Sequence, residues 1–134
     1  ACAAFNDLVV AAMRDELRKQ LPVVVASIDE EDRRISTALL EAPVAEPEEV
    51  KNSAFVVDSL RTALWAVLRA TTFEEALCTV VNLGDDADTV GAITGALAGA
   101  LHGEAGIPAR WLEALQLGEP LRAVAGRLAD RAGV

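Results

Sequence analysis

A chain of 134 residues is long enough for one domain with a buried core. Its hydrophobic content of 52% is led by Ala, Leu and Val, with only 4% aromatics, which suits tightly packed helices more than a sheet. A formal net charge of -9 without a Lys/Arg cluster argues against a nucleic-acid partner and leaves any phosphate-bearing ligand to metal ions and helix N-termini.

In chain order, Phe5, Leu8, Val9, Ala12 and Leu17 recur at helical spacing, with Arg14, Asp15, Arg18 and Lys19 on the other face. This predicts a helix over residues 3–21, interrupted by Pro22. Val23-Val24-Val25 is β-branched but has no partner strand in the sequence, so it reads as a buried turn or a helix start. Ser27-Ile28-Asp29-Glu30 fits a capping box, opening a helix to about Glu41 that buries Ile35, Ala38 and Leu39. Residues 42–52 carry Pro43, Pro47 and the Glu46/Glu48/Glu49 cluster, a solvated loop between an N-terminal helical part and residues 53–134.

Val56, Val57, Leu60, Ala63, Leu64, Val67 and Leu68 form the clearest helical stripe, with Trp65 off it and free for a second packing contact. Thr72-Phe73-Glu74-Glu75 is another capping box, starting a short helix through Val81 that Gly84 stops. Ile107-Pro108 opens a short helix closed by Gly118. Pro120 opens the last helix, residues 121–132, which is expected to bury Leu121, Val124 and Leu128. The fold expected is all-α, a multi-helix orthogonal bundle forming a single partial domain over residues 1–134.

Cys2 and Cys78 show no metal-ligand spacing and read as buried free thiols of a cytoplasmic protein. The start lacks a basic leader segment, and the apolar run 90–101 falls short of the roughly 20 residues a bilayer span needs, so no membrane partner is expected. The chain begins Ala1-Cys2-Ala3-Ala4-Phe5, without Met and inside an amphipathic pattern, as a fragment or processed chain would.

The densest chemistry lies in Asn82-Leu83-Gly84-Asp85-Asp86-Ala87-Asp88-Thr89-Val90-Gly91-Ala92-Ile93. Carboxylates this close repel one another unless a cation or backbone N–H groups sit among them. The local pattern leaves two readings open: a generously capped helix with Asp88 as N-cap, or a hard-metal site at a helix entrance. Asp86 and Asp88 alternate around Ala87, so an extended loop would aim both to one side, and Thr89 adds a neutral oxygen. Oxygen-only donors suit Mg²⁺, Mn²⁺ or Ca²⁺ rather than zinc. An EF-hand is excluded, because Leu97 stands where its bidentate Glu is required. Gly91, Gly95, Gly99 and Gly103 follow at every fourth position, predicting a central, fully buried helix whose close packing fixes where its N-terminus points.

The motif Asn82 to Thr89 with Gly91-Ala92-Ile93 resembles the C-terminal metal motif of the ADP-ribosylglycohydrolase family, of the dinitrogenase reductase-activating type. The likeness extends to Ser53-Ala54-Phe55-Val56-Val57-Asp58-Ser59-Leu60, Ala63-Leu64-Trp65-Ala66 and Phe73-Glu74-Glu75-Ala76 upstream. Downstream it includes Gly95 to Ala100 and Ile107-Pro108-Ala109-Arg110-Trp111-Leu112. It covers the second half of the chain well and the first half weakly, so the chain would be half of such a domain.

The resemblance implies Asp86, Asp88 and Thr89 as metal ligands, Asp85 in a supporting position, and Gly84, Ser53 and Phe55 in the ligand cleft. Phe55 stands where Tyr is more usual, and Ala54 where Gly is. The family's complete site holds two Mg²⁺, with Mn²⁺ as a substitute. Its reaction hydrolyses the N- or O-glycosidic bond between ADP-ribose and a protein side chain, often arginine, with the metals positioning the ribose hydroxyls and the attacking water. The family's N-terminal ligand motifs are not found, and Asp29-Glu30-Glu31-Asp32 matches neither. The chain alone is therefore expected to be inactive, and its partners to be the ADP-ribose moiety and a missing N-terminal half or another copy. Two alternatives stay open: a catalytically silent binding or assembly module of the same fold, and a plain helical domain with a decorated N-cap. His102 reads as a surface or helix C-terminal residue, Trp111 as core and Arg110 as an ion-pair partner.

Overall fold

In the computed structural model, which describes residues 1–132, the central scaffold is α4, Val56–Arg69. Leu60 and every residue from Thr62 to Leu68 are buried, so α4 is covered on more than the one face its apolar stripe demanded. Trp65 makes the second contact its off-stripe position called for: it is buried, and its Nε1–H donates to the Ala45 carbonyl at 3.0 Å. Val56, at the start of the stripe, is instead exposed.

Around α4 lie α1 (Cys2–Met13), α2 (Leu17–Ala26), α3 (Arg33–Glu41), α5 (Phe73–Val81) and α6 (Ala87–His102). Helices α7 (Ala109–Ala114) and α8 (Gly118–Ala132) follow, and no strand occurs among the described residues, so the all-α expectation holds. No helix of the described residues is long and apolar enough to cross a membrane.

Helices α5 and α6 pack antiparallel: Gly91 faces Val81, Gly95 faces Leu77 and Gly99 faces Phe73. Helices α4 and α6 run parallel. Val56 and Leu60 share one cavity with Ile93, while Val67 and Leu68 share another with Leu101. Their N-termini therefore lie at the same end of the bundle, together with Cys2 and Phe5 of α1.

The first predicted helix breaks earlier than Pro22. Asp15 takes a left-handed conformation (φ 55°) and ends α1, while Pro22 sits inside α2. The proline lacks the N–H that would bond the Arg18 carbonyl, and burial of Leu17, Leu21 and Val24 compensates. Val23-Val24-Val25 is thus helical, with Val23 pointing outward. Ser27 caps no helix start. Its Oγ donates back to the Val24 carbonyl at 2.7 Å and closes α2, so the predicted box is absent and α3 begins at Arg33 after one 3-10 turn. Ile35, Ala38 and Leu39 are buried as expected.

Residues 42–52 are less solvated than predicted: Ala42, Ala45, Val50 and Asn52 are buried under the glutamates, because the segment returns along α4. The Thr72 cap forms as predicted, accepting from the Glu75 N–H at 3.1 Å. Both cysteines are free, but exposed rather than buried, Cys2 at the mouth of the open cavity it shares with Val56 and Ile93. Helix α6 buries Val90, Gly91, Thr94, Leu97 and Ala98 and leaves Ala92 and Ala96 exposed, so it is one-sided rather than fully buried.

At the C-terminal end Gly118 starts α8 instead of closing α7, which ends at Ala114. The expected burial of Leu121, Val124 and Leu128 does not occur: they are 54%, 44% and 61% exposed, and Leu121 only borders a shallow cleft with Ile107, Leu112 and Leu115. Trp111 is half-buried against the core with its ring edge-on to Phe73, and Arg110 forms its expected ion pair, with Glu74. His102 lies in the last turn of α6, half-buried.

Candidate functional site

The motif sits at the shared N-terminal end of α4 and α6. Helix α5 ends at Val81, and Gly84 (φ 77°) and Asp85 (φ 48°) follow as two consecutive left-handed residues. Glycine enters that region freely, whereas an aspartate does so at some cost, tolerable because its short side chain is polar. This double reversal turns the chain from α5 into α6.

Asp86, not Asp88, is the N-cap of α6, and Asp88 lies in the first helical turn. The segment is therefore not the extended loop that alternation around Ala87 assumed. Asp86 has non-helical backbone (φ -77°, ψ 47°) just ahead of the helix, and Asp88 and Thr89 follow in its first turn. Asp86 is half-buried, while Asp85, Asp88 and Thr89 are exposed. The Asp86 side chain accepts no capping hydrogen bond, although its position at the helix entrance would allow one. The generous-capping reading thus loses its main observable: the carboxylate at the cap is not spent on the backbone. Among the described residues no three His, Cys, Asp or Glu side chains converge as a metal cage.

Ser53 and Phe55 approach the same end from α4. Ser53 Oγ donates to Asp58 Oδ2 at 2.8 Å and accepts from the Phe55 N–H at 3.1 Å, closing the turn that leads into the helix. Phe55 is the N-cap and is 47% exposed, so it is not the core residue its type would suggest. Its ring borders a cleft of about 480 Å³ that Arg33, Arg34 and Arg61 also line.

One residue joins the two segments and was invisible to pattern reading. Asn52, only 3% exposed, donates from Nδ2 to the carbonyls of Val80 and Gly84, both at 2.8 Å. Its only sequence-level trace is an amide inside a loop of acidic residues, and the partners lie 28 and 32 positions away.

The ADP-ribosylglycohydrolase family model matches residues 1–134. The chain is 42% identical over 85 residues to the ADP-ribosylarginine hydrolase Tri1 of Pseudomonas putida, covering 63% of this chain and 23% of that protein. It is 43% identical over 81 residues to the Tri1 hydrolase of Serratia proteamaculans, covering 60% and 22%. Against the ADP-ribosyl-[dinitrogen reductase] glycohydrolase of Rhodospirillum rubrum it is 43% identical over 72 residues, covering 54% and 24%. The chain thus spans roughly a quarter of the length of these curated relatives. No solved structure matches it significantly. With the matched region running from the first residue to the last, the chain belongs to the ADP-ribosylglycohydrolase family.

Proposed function

We propose that this chain is the C-terminal portion of a metal-dependent hydrolase that removes ADP-ribose from a modified protein side chain. The observation that carries the reading is the Asp86 carboxylate, placed at the α6 entrance yet free of any capping bond. Asp86, Asp88 and Thr89 would hold Mg²⁺ or Mn²⁺, with Asp85 supporting them. Two carboxylates and a hydroxyl are a hard-oxygen set that fits Mg²⁺, which keeps several waters and needs no complete protein cage. When bound, the metal supplies Lewis-acid positioning of hydroxyls and a water of lowered pKa.

This chain's own contributions are positional. Gly84, without a Cβ, leaves the backbone open to close approach by a ribose or phosphate. Phe55 offers an exposed ring and Ser53 a turn of fixed shape beside it. Two relatives are named for ADP-ribosylarginine, which supports arginine as the modified side chain. The remaining ligands would come from an N-terminal half, so the chain alone would be inactive. Titration of Mn²⁺ into the protein and its Asp86→Asn and Asp88→Asn variants tests the site, with each variant expected to bind roughly tenfold weaker or worse, about 1.4 kcal/mol. Equal binding in all three would remove the assignment.

The silent assembly module is the second reading, favoured by the exposed apolar face of α8. Such a module would pair with another chain, and a mass in solution equal to one chain at all concentrations would count against it.

A further inference from the structure

We propose that Asn52 is a positioning residue: a clasp that sets the spacing between the Ser53–Phe55 turn and the aspartate-bearing entrance of α6. The backbone on either side of it is fastened to α4. Thr62 Oγ1 donates to the Lys51 carbonyl at 2.9 Å, and Ser59 Oγ donates to the Ser53 carbonyl at 2.8 Å. Both donors are themselves buried. Between these anchors the Asn52 amide leaves α4 and spends both of its protons elsewhere, on Val80 in the last turn of α5 and on Gly84.

Gly84 directly precedes Asp85, and Asn52 directly precedes Ser53. A single side chain therefore spans the two segments that together would form the site. The Gly84–Asp85 pair is the point most in need of such a hold. Its two left-handed residues are secured locally by Leu83 N–H to Val80 and Gly84 N–H to Val81, each at 3.2 Å, and by Ala87 N–H to the Asp85 carbonyl at 2.8 Å, none of which reaches α4.

The other end of the amide shows which of its groups the structure uses. Its Oδ1 is buried without a partner. An unsatisfied buried acceptor is costly, and an apolar residue would remove that cost but also both donors to the Val80 and Gly84 carbonyls. The amide's use lies in its two donors.

The clasp rests on the metal reading only for its functional consequence, and hydrogen exchange separates the two. In Asn52→Ala, the amides of Leu83, Gly84, Ala87 and Val90 are expected to exchange on the order of tenfold faster, while those of Leu64 to Leu68 keep their rates. Asn52→Asp should behave alike at neutral pH and recover part of the protection, relative to wild type at the same pH, in acid, where its protonated carboxyl regains one donor. Mn²⁺ affinity should fall roughly tenfold in Asn52→Ala with helix content unchanged. Asp86→Asn should lose Mn²⁺ while keeping wild-type exchange. Unchanged exchange in Asn52→Ala, or equal acceleration throughout the chain, overturns the clasp. Equal Mn²⁺ binding in Asp86→Asn would remove the metal reading while the exchange data still decide on Asn52.

Discussion

Helices α4 and α8 present nearly the same apolar repeat and meet opposite fates. In α4, Leu60, Leu64, Val67 and Leu68 are all at 7% exposure or below, whereas in α8 Leu121, Val124 and Leu128 are all at 44% or above. Periodicity specifies which side of a helix requires cover. It does not specify whether the rest of the chain supplies that cover. Helix α4 has α3, α5, α6 and the returning segment 42–52 around it, while α8 is tied down by the ion pair of Arg122 with Glu104.

The sharpest contrast is a matched pair of truncations. Leu64→Ala is expected to cost about 2–5 kcal/mol in denaturant unfolding, because Leu64 is fully buried and leaves a cavity. Leu128→Ala should stay within about 0.5 kcal/mol. A large loss at Leu128 would mean that α8 is covered in solution.

Next in size is Gly84→Ala, expected to lower stability by about 1–2 kcal/mol although nothing lies within 4 Å of the added Cβ. The penalty is conformational, from φ 77°, and an unchanged melting temperature would refute it.

A smaller, opposite effect is expected where glycine serves no such need. A Cβ at Gly95 meets Leu77 Cδ1 at 3.8 Å, an ordinary contact, so Gly95→Ala should stabilise by about 0.5–1 kcal/mol. Gly126→Ala in α8 gains the same propensity but meets nothing, and should raise helix content without moving the global melting point. Equal shifts in melting temperature would show that α8 unfolds together with the core.

The smallest effect concerns the α5 cap. Hydrogen bonds from the Thr71 N–H and hydroxyl hold the Glu75 carboxyl below the usual carboxylate range. A depressed folded-state value adds stability above the ordinary carboxylate pKa, and that stability is lost as pH falls through the folded value. Protection of the amides at the start of α5, taken against the intrinsic exchange rate at each pH, should therefore fall in acid, and Glu75→Gln should weaken this dependence.

These contrasts also show where sequence reasoning reached and where it stopped. Thr72 and Ser27 each precede a Glu by three residues, yet only Thr72 caps a helix start. A serine hydroxyl can equally donate to the preceding turn, and only the chain path decides which. Pro22 was expected to stop a helix, but burial of its neighbours outweighed one missing hydrogen bond. The family and the aspartate motif could be read directly, because they reside in contiguous residues. The cap at Asp86 in place of Asp88 is a shift of two residues, within the usual uncertainty of helix ends, but it puts Asp88 in the first helical turn rather than in an extended loop. Asn52 could not be found, because its partners belong to another helix and the turn beyond it.

The parallel course of α4 and α6 has an electrical consequence. Each helix start carries about half an elementary positive charge from its aligned peptide groups. Two such starts at one end amount to about one fixed positive charge within a chain of net charge -9. That charge belongs to the backbone, so side-chain titration or replacement cannot remove it; the carboxylates at those starts, Asp58, Asp86 and Asp88, offset it, and dissolved salt screens it.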